Sequence, residues 1–170
     1  MSGTPHYLLL PLLLLSSLTI SLAHPQPSSS PAIVVEGMVY CQSCARAGSW
    51  SLTDSKNIST AKVGVACKDS KNHRIRYYKS FQTNHNGYFY AELKGLDVSA
   101  KDNALHACTV HLLSSADPRC NVPTNVNYGI YGAPLHDEQK RLYGKYYEAV
   151  IYAAGPFAFR PKVCVPEVYS

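Results

Sequence analysis

The sequence predicts an all-β domain, a six- to seven-stranded antiparallel sandwich or small barrel, stapled by disulfide bonds. From Pro31 onward, apolar side chains recur with a period of two rather than 3.6, as they do in half-buried strands. Asn, Gly, Ser and Pro separate short segments rich in Val, Ile, Tyr and Phe. Six cysteines, at positions 41, 44, 67, 108, 120 and 164, follow an apolar N-terminal segment, which indicates disulfides in an oxidising compartment.

The N-terminal segment is predicted to be an export signal. Residues 8–22 are almost wholly apolar but short for a membrane span, and Ser21-Leu22-Ala23 puts small residues where a signal peptidase reads them. We therefore assign residues 1–23 to a signal peptide, 24–31 to a short Pro/Ser-rich lead and 32–168 to one β domain. The predicted product is secreted and extracellular, and it makes no membrane contact after signal cleavage.

The predicted strands run, in order, over residues 33–40, 61–67, 74–81, 88–93, 105–113 and 146–153. In the second of these, Val63, Val65 and Cys67 fall on one face and Lys62 falls on the other. A brief polar segment, residues 135–143, is the best candidate for a helix.

Residues 82–87 predict a β-hairpin between the third and fourth strands, because Asn86-Gly87 can supply the positive φ of a tight turn. Pairing Gln82 with Tyr88 puts apolar side chains on one face: Ile75, Tyr77, Phe81, Phe89, Ala91 and Leu93. The opposite face then carries Arg74, Arg76, Tyr78, Tyr88, Tyr90 and Glu92.

This second face is the predicted ligand-binding surface. Tyrosine rings can stack on sugar rings, while hydroxyls and Arg donors reach sugar oxygens or uronate carboxylates. The candidate binding residues are Arg74, Arg76, Tyr78, Tyr88, Tyr90, Lys140 and Arg141. The alternative is that these tyrosines are ordinary strand residues and the charges only keep the sheet soluble. The net charge of +5 favours anionic partners such as acidic polysaccharide but is too sparse to indicate nucleic acid.

No motif indicates catalysis, a metal site or a cofactor. Cys41-Gln42-Ser43-Cys44 has the spacing of a redox motif, but no helical pattern follows it and four further cysteines need partners. His106 and His111 lie five apart in a predicted strand and therefore face opposite sides. We predict a non-enzymatic protein without cofactor or metal. Asn57-Ile58-Ser59 is an N-glycosylation sequon, which predicts a surface position for Asn57.

Residues 35–44 have the pattern V-x-G-x-V-x-C-x-x-C. This pattern resembles the strand with which the plant Ole e I-like pollen allergen and extensin family begins. The resemblance continues through 61–67, 83–89, 108–112, 123–125 and 157–164, and so covers roughly residues 32–166. The chain is most similar to the PAC domain of proline-rich and arabinogalactan proteins.

The resemblance implies a cell-wall protein with a β-barrel-like fold that binds pectic galactan or other wall polysaccharide. It also implies three disulfides, Cys41–Cys120, Cys44–Cys164 and Cys67–Cys108, one of the fifteen pairings that six cysteines allow. Two other functions remain open. The thirteen tyrosines could be cross-linked oxidatively into a structural network, or an apolar cavity could carry a small ligand.

Overall fold

The structure, a computed structural model, describes residues 31–69, 72–96, 104–145 and 147–164. The predicted signal peptide (1–23) and residues 24–30 of the predicted lead lie outside the described residues. The strands of the described chain are β1 (Ala32–Cys41), β2 (Lys56–Asn57), β3 (Lys62–Lys68), β4 (Ile75–Gln82), β5 (Tyr88–Glu92), β6 (Cys108–Ser114), β7 (Val122–Pro123), β8 (Ala133–Pro134), β9 (His136–Gly144), β10 (Tyr147–Ala153) and β11 (Phe157–Arg160). One α-helix, α1 (Ala104–Ala107), and 3₁₀ turns at Cys44–Arg46 and Val126–Tyr128 complete this part of the chain. None of these helices has the length and apolarity that a membrane crossing requires.

The strands form two sheets, and the predicted disulfide-stapled all-β sandwich is confirmed. The large sheet has the hydrogen-bonded order β7-β11-β1-β10-β9, and β2 and β5 also pair with β1. The small sheet has the order β4-β3-β6-β8. β1 pairs in parallel with β10 and β11, so the large sheet is mixed rather than purely antiparallel. Parallel pairing requires a long connection, and the many residues between β1 and β10 provide one.

The core lies between the sheets and takes side chains from both. Its fully buried members include Val35, Val39, Val63, Val65, Phe89, Val110, Phe157 and Phe159. The rings of Phe89 and Phe157 stack with their centroids 6.3 Å apart. Gly37 of β1 lies against the Phe89 ring, because a Cβ there would come within 2.7 Å of that ring and collide with the Ala154 carbonyl oxygen. This close approach is the reason that β1 needs glycine at that position.

The predicted hairpin of β4 with β5 is wrong. β4 pairs with β3 in the small sheet, whereas β5 pairs with β1 in the large sheet. The buried Thr83 hydroxyl donates to the Ile58 carbonyl at 2.7 Å and accepts from the Ala61 amide at 2.9 Å, which holds the end of β4 beside β3. On the far side of the turn, the Gly87 carbonyl accepts from the Val39 amide of β1 at 2.8 Å. The segment therefore crosses from one sheet to the other.

The alternation predicted for this segment is correct for most residues, although their pairing is not. Phe89, Ala91 and Leu93 are buried, and Tyr77 and Phe81 pack against the same core from the opposite sheet. Ile75 is the exception, since 60% of its surface is exposed at the start of β4.

Two other predicted elements are also corrected. The predicted helix over 135–143 is wrong, because His136–Gly144 forms β9, antiparallel to β10. Pairing with β10 overrides the local preference, and a largely charged sequence suits an edge strand. The strand predicted over 105–113 begins only at Cys108, and His106 lies in α1.

The disulfides are Cys41–Cys120, Cys44–Cys164 and Cys67–Cys108, the same pairs that the family resemblance implies. Cys67 and Cys108 lie opposite each other on β3 and β6. Cys41, at the end of β1, is joined to the loop that precedes β7. The bridges therefore connect segments that are far apart in the chain and limit the freedom of the loops between the strands.

Candidate functional site

The predicted binding residues are divided between different surfaces. Tyr88 and Tyr90 of β5, with Lys140 of β9, belong to the large sheet. Arg76 and Tyr78 lie on β4, at the edge of the small sheet, and Arg74 precedes that strand. Arg141 follows Lys140 and points to the opposite face of β9. The single surface of seven residues predicted from the hairpin therefore does not exist, because it depended on the wrong pairing of β4 with β5.

The outer face of the large sheet brings three of the predicted residues together with three others. Tyr90 of β5 is paired with Glu36 of β1. Lys140 and Leu142 of β9 are paired with Ile151 and Ala149 of β10, respectively. Directly opposite residues in a sheet share a face, as do residues two apart in one strand. We call this surface the tyrosine face and define it by Glu36, Tyr88, Tyr90, Lys140, Leu142 and Tyr147.

Glu36 is the centre of the polar contacts on the tyrosine face. Its carboxylate accepts a hydrogen bond from the Tyr88 hydroxyl at 2.6 Å and one from the Lys140 ammonium at 2.7 Å. Burial opposes ionisation of Glu36, but these two hydrogen bonds and the charge of Lys140 outweigh it and lower the pKa of the carboxyl. One carboxylate thus fixes side chains from β5 and β9 on either side of β1.

Tyr90 and Tyr147 are joined by a hydrogen bond between their side chains, across β1. Burial, this hydrogen bond and the nearby carboxylates of Glu92 and Glu36 raise the pKa of Tyr90 to about 12. Burial and the hydrogen bond to Glu36 likewise raise the pKa of Tyr88. Both phenols therefore stay protonated at physiological pH. The Tyr88 proton is donated to Glu36, whereas the phenol oxygens can still accept hydrogen bonds.

An apolar cluster lies beneath the tyrosine face. Val34, Ala149 and Ile151 are almost fully buried although they belong to the outer side of the sheet. Tyr90, Leu142 and Tyr147 lie on the same side and each keeps 42% of its surface exposed. The tyrosine face is therefore an aromatic and apolar surface that packs on a buried apolar layer. Hydroxyl groups and one ammonium group lie within this surface. This combination is what stacking on a sugar ring and bonding to its hydroxyls requires.

The predicted arginines are largely engaged in ion pairs. Arg76 contacts Asp69 at 2.9 Å, and both Arg141 nitrogens Nη1 and Nη2 bind Asp137, at 3.0 and 2.9 Å. The hydrogen bonds from Arg141 and from the Gln139 amide lower the pKa of Asp137. These partners offset much of the positive charge that the sequence suggested for an acidic ligand.

Sequence reasoning missed Glu36, Leu142 and Tyr147 as members of the tyrosine face. Tyr147 lies in a correctly predicted strand, but nothing local indicates that β10 lies beside β1. Leu142 lies within the segment for which the sequence predicts a helix, which is wrong. Only knowledge of the long-range strand order would have brought them together with Tyr90.

A second feature that the sequence reasoning missed is a cleft of about 290 Å³ that we call the tryptophan cleft. It is lined by residues 48–50, 123–126, Gln42, Ile130 and Arg160. Trp50, the only tryptophan in the chain, is 57% exposed and meets the Tyr128 ring edge to face, with centroids 5.6 Å apart. A single tryptophan among the turn-forming residues Gly48, Ser49 and Ser51 is the one sequence signal that could have indicated this site.

Other sites remain predictions. Asn57 is exposed on β2, so a glycan on the predicted sequon would meet solvent there. Among the residues that the structure describes, no three His, Cys, Asp or Glu side chains converge as a metal site would need.

Comparison with known proteins gives relatives among plant arabinogalactan, extensin-like and proline-rich proteins. The chain is 29% identical over 133 residues to non-classical arabinogalactan protein 30 of Arabidopsis thaliana, covering 76% of this chain and 53% of the relative. It is 32% identical over 102 residues to a pistil-specific extensin-like protein of Nicotiana tabacum, covering 60% of this chain and 22% of the relative. It is 32% identical over 115 residues to proline-rich protein 3 of Arabidopsis thaliana, covering 62% of this chain and 33% of the relative. The chain thus spans between about a fifth and a half of these relatives.

The fold is also that of a solved pollen allergen. The crystal structure of the major plantain pollen allergen Pla l 1 superposes with a TM-score of 0.54 and 22% identity, covering 80% of this chain and 98% of the allergen. These relatives and this fold match the Ole e I-like family that the sequence resembles. No family model matches the chain. None of these proteins is named for an enzymatic activity.

Replacing Glu36 with Gln tests the polar centre of the tyrosine face. We expect Glu36→Gln to lower the free energy of unfolding by about 1–2 kcal/mol at neutral pH, because the carboxylate accepts two hydrogen bonds, one from a cation. The pKa of Glu36 is depressed in the folded state, so its stabilisation is complete above the ordinary value of 4.5 and is lost as the pH falls below it. The difference between wild type and variant should therefore shrink in acid.

Urea unfolding over a series of pH values measures this difference. Glu148→Gln, at an exposed position of β10, is the matched control and should change stability by less than about 0.5 kcal/mol. An equal effect of both substitutions, or a difference that does not vary with pH, would contradict the role assigned to Glu36.

Proposed function

We propose that this chain is a secreted, non-catalytic plant cell-wall protein that binds pectic or galactan-type polysaccharide through the tyrosine face. The single observation that carries the proposal is the grouping of Tyr88, Tyr90 and Tyr147 with Leu142 and Lys140 over a buried apolar floor. Sugar rings offer apolar faces bordered by hydroxyls, and this surface offers the complementary groups.

The charges of the tyrosine face favour a neutral segment of the polysaccharide. Lys140 is paired with Glu36 at 2.7 Å, so the two charges offset each other. The exposed polar groups that remain are largely phenol hydroxyls, which bind sugar hydroxyls without discriminating for carboxylates. Galactan-type chains therefore fit the tyrosine face better than polyuronates do.

The relatives support the location and the absence of catalysis. An arabinogalactan protein, an extensin-like protein and a proline-rich protein are the matched proteins, and the apolar residues 8–22 are predicted to form an export signal. The six cysteines are all paired, as suits an oxidising extracellular compartment.

A glycan array carrying pectic galactans, galacturonans and arabinogalactans tests the function directly. The oxidised protein should bind galactan-type glycans, with little difference between low and high salt. Absence of binding to galactan-type glycans would contradict the proposal, whether or not another wall glycan binds.

Tyr90→Ala and Tyr147→Ala test the proposed surface. Each should weaken galactan binding by about 1–2 kcal/mol, as measured by isothermal titration calorimetry, because each removes an exposed ring and its hydroxyl. Tyr131→Ala is the matched control: Tyr131 is 78% exposed but lies outside the tyrosine face. If Tyr131→Ala weakened binding as much as Tyr90→Ala, the ligand would not be bound at the tyrosine face.

Oxidative cross-linking remains the second candidate function. Tyr131 and Tyr143 are 78% and 77% exposed, which favours coupling between molecules. A purely cross-linked structural protein has no need of glycan affinity, so the array separates the two functions. The tryptophan cleft is lined by polar as well as apolar side chains, which does not favour a carrier of apolar molecules.

A further inference from the structure

We infer that the tryptophan cleft binds one carboxylate-bearing sugar residue, a uronic acid at a chain end or branch of a polysaccharide. The inference rests on the proposed function, since it assumes that the protein meets wall polysaccharide. It adds a second site, remote from Tyr90 and Tyr147 in the chain, with a different ligand chemistry.

Trp50 supplies the stacking surface of the cleft. Its indole is held from one side by the edge-to-face contact with Tyr128, and more than half of its surface is open to solvent. A large aromatic side chain that is left exposed beside a cavity is the usual platform for an apolar ring face.

Arg160 supplies the charge. It is the last residue of β11, is half-buried, and donates from Nη1 to the neighbouring Pro161 carbonyl at 3.3 Å. No described Asp or Glu lies within ion-pair distance of it, in contrast to Arg76 and Arg141. A partly desolvated guanidinium that has no carboxylate partner among the described residues is suited to a carboxylate ligand, which it can bind through two parallel hydrogen bonds.

Gln42 positions the loop that carries Trp50. It is 1% exposed, and its Nε2 donates to the carbonyls of Ser49 and Ser51 on either side of the tryptophan, at 3.0 and 2.9 Å. Its Oε1 is buried and has no hydrogen-bond partner among the described groups. Such an acceptor is unusual in a folded protein.

Asn125 is a further donor at the cleft wall. Its Oδ1 accepts from the amides of Ile130 and Tyr131, which leaves the side-chain amide nitrogen for a ligand. Together with Arg160 and Trp50 it gives the cleft donors beside a stacking platform.

The size of the cleft restricts the ligand to a short segment. Its volume of about 290 Å³ is at the low end of the roughly 300–1,000 Å³ found for pockets that enclose drug-sized molecules. A single sugar ring fits that volume better than a stretch of polymer does. A chain end or a branch is therefore the expected form of the ligand.

Trp50 also serves as the fluorescent probe for the experiment. It is the only tryptophan in the sequence, so tryptophan emission reports on this cleft alone. The oxidised full chain is titrated with galacturonic acid, with its uncharged methyl ester and with galactose, while the tryptophan emission is recorded. We expect galacturonic acid to change the emission at a concentration at least about tenfold lower than either neutral sugar, and added salt to weaken it. Trigalacturonate and polygalacturonate in further titrations distinguish a chain end from the free sugar acid.

Variants measured by calorimetry locate the interaction. Arg160→Gln should weaken galacturonate binding about tenfold or more, and Arg160→Lys should restore part of the loss. Trp50→Ala should weaken binding of the acid, and Trp50→Phe should retain part of it. Tyr90→Ala is the control and should leave galacturonate binding unchanged while it weakens galactan binding.

Equal emission responses to galacturonic acid and its methyl ester, or no response to any of the sugars, would overturn the inference without any variant. Unchanged galacturonate affinity in a folded Arg160→Gln protein would also overturn it. Failure of the proposed function would be seen in a different measurement. Galactan binding would then be absent, whether or not the tryptophan cleft binds galacturonic acid.

Discussion

Phe89→Ala is expected to lower the free energy of unfolding by about 3–5 kcal/mol, among the largest effects of any single substitution in this chain. Phe89 is fully buried, stacks on Phe157 and lies against Gly37 of the central strand. Truncation removes this apolar contact and leaves a cavity between the sheets, because the disulfide-linked strands cannot close around it freely. Guanidinium unfolding under oxidising conditions measures the loss.

Tyr90→Ala is the matched control for Phe89→Ala, since the two residues are adjacent on β5 and point to opposite faces. Tyr90 is 42% exposed, and its substitution should cost no more than about 1 kcal/mol. Similar losses for both variants would mean that β5 does not present Phe89 to the core.

The double substitution Cys41→Ala with Cys120→Ala is expected to cost about 4.5 kcal/mol on the loop-closure model. The bridge spans 79 residues, so its removal releases a long loop in the unfolded chain. We also expect the emission of Trp50 to change in the folded variant, because Cys41 precedes Gln42, which holds the Trp50 loop. Guanidinium unfolding and tryptophan emission measure the two effects.

An unfolding midpoint equal to that of the wild type would contradict the stabilising role of the Cys41–Cys120 bridge. Loss of stability with unchanged Trp50 emission would mean that the bridge does not support the tryptophan cleft.

The strands that the sequence predicts best are those whose alternation is strongest. Val63, Val65 and Cys67 are buried on one side of β3 while Lys62 is exposed, as predicted. The polar residues of β9 show no comparable alternation of apolar and polar side chains, because an edge strand needs only one partner strand and tolerates charge on both faces. The predicted helix there was therefore decided by local propensity alone, which tertiary pairing overrode.

The candidate site depends on the order of the strands in the sheet, which the sequence indicates only weakly. Alternation correctly placed Tyr88 and Tyr90 on an outer face, because Phe89 and Ala91 between and beside them are buried. It could not show that Glu36, Lys140 and Tyr147 lie on the same face, since these contacts join strands more than 50 residues apart in the chain. Trp50 lies in a loop without periodicity, so its neighbours followed only from the folded structure.

The most direct test is to map the galactan-binding surface by NMR, with a short galacto-oligosaccharide added to the isotopically labelled, oxidised protein. Binding at the tyrosine face predicts chemical-shift changes concentrated in β5, β9 and β10, around Tyr90, Lys140 and Tyr147. Changes confined to β4, around Arg76 and Tyr78, or no changes at saturating oligosaccharide, would contradict binding at the tyrosine face.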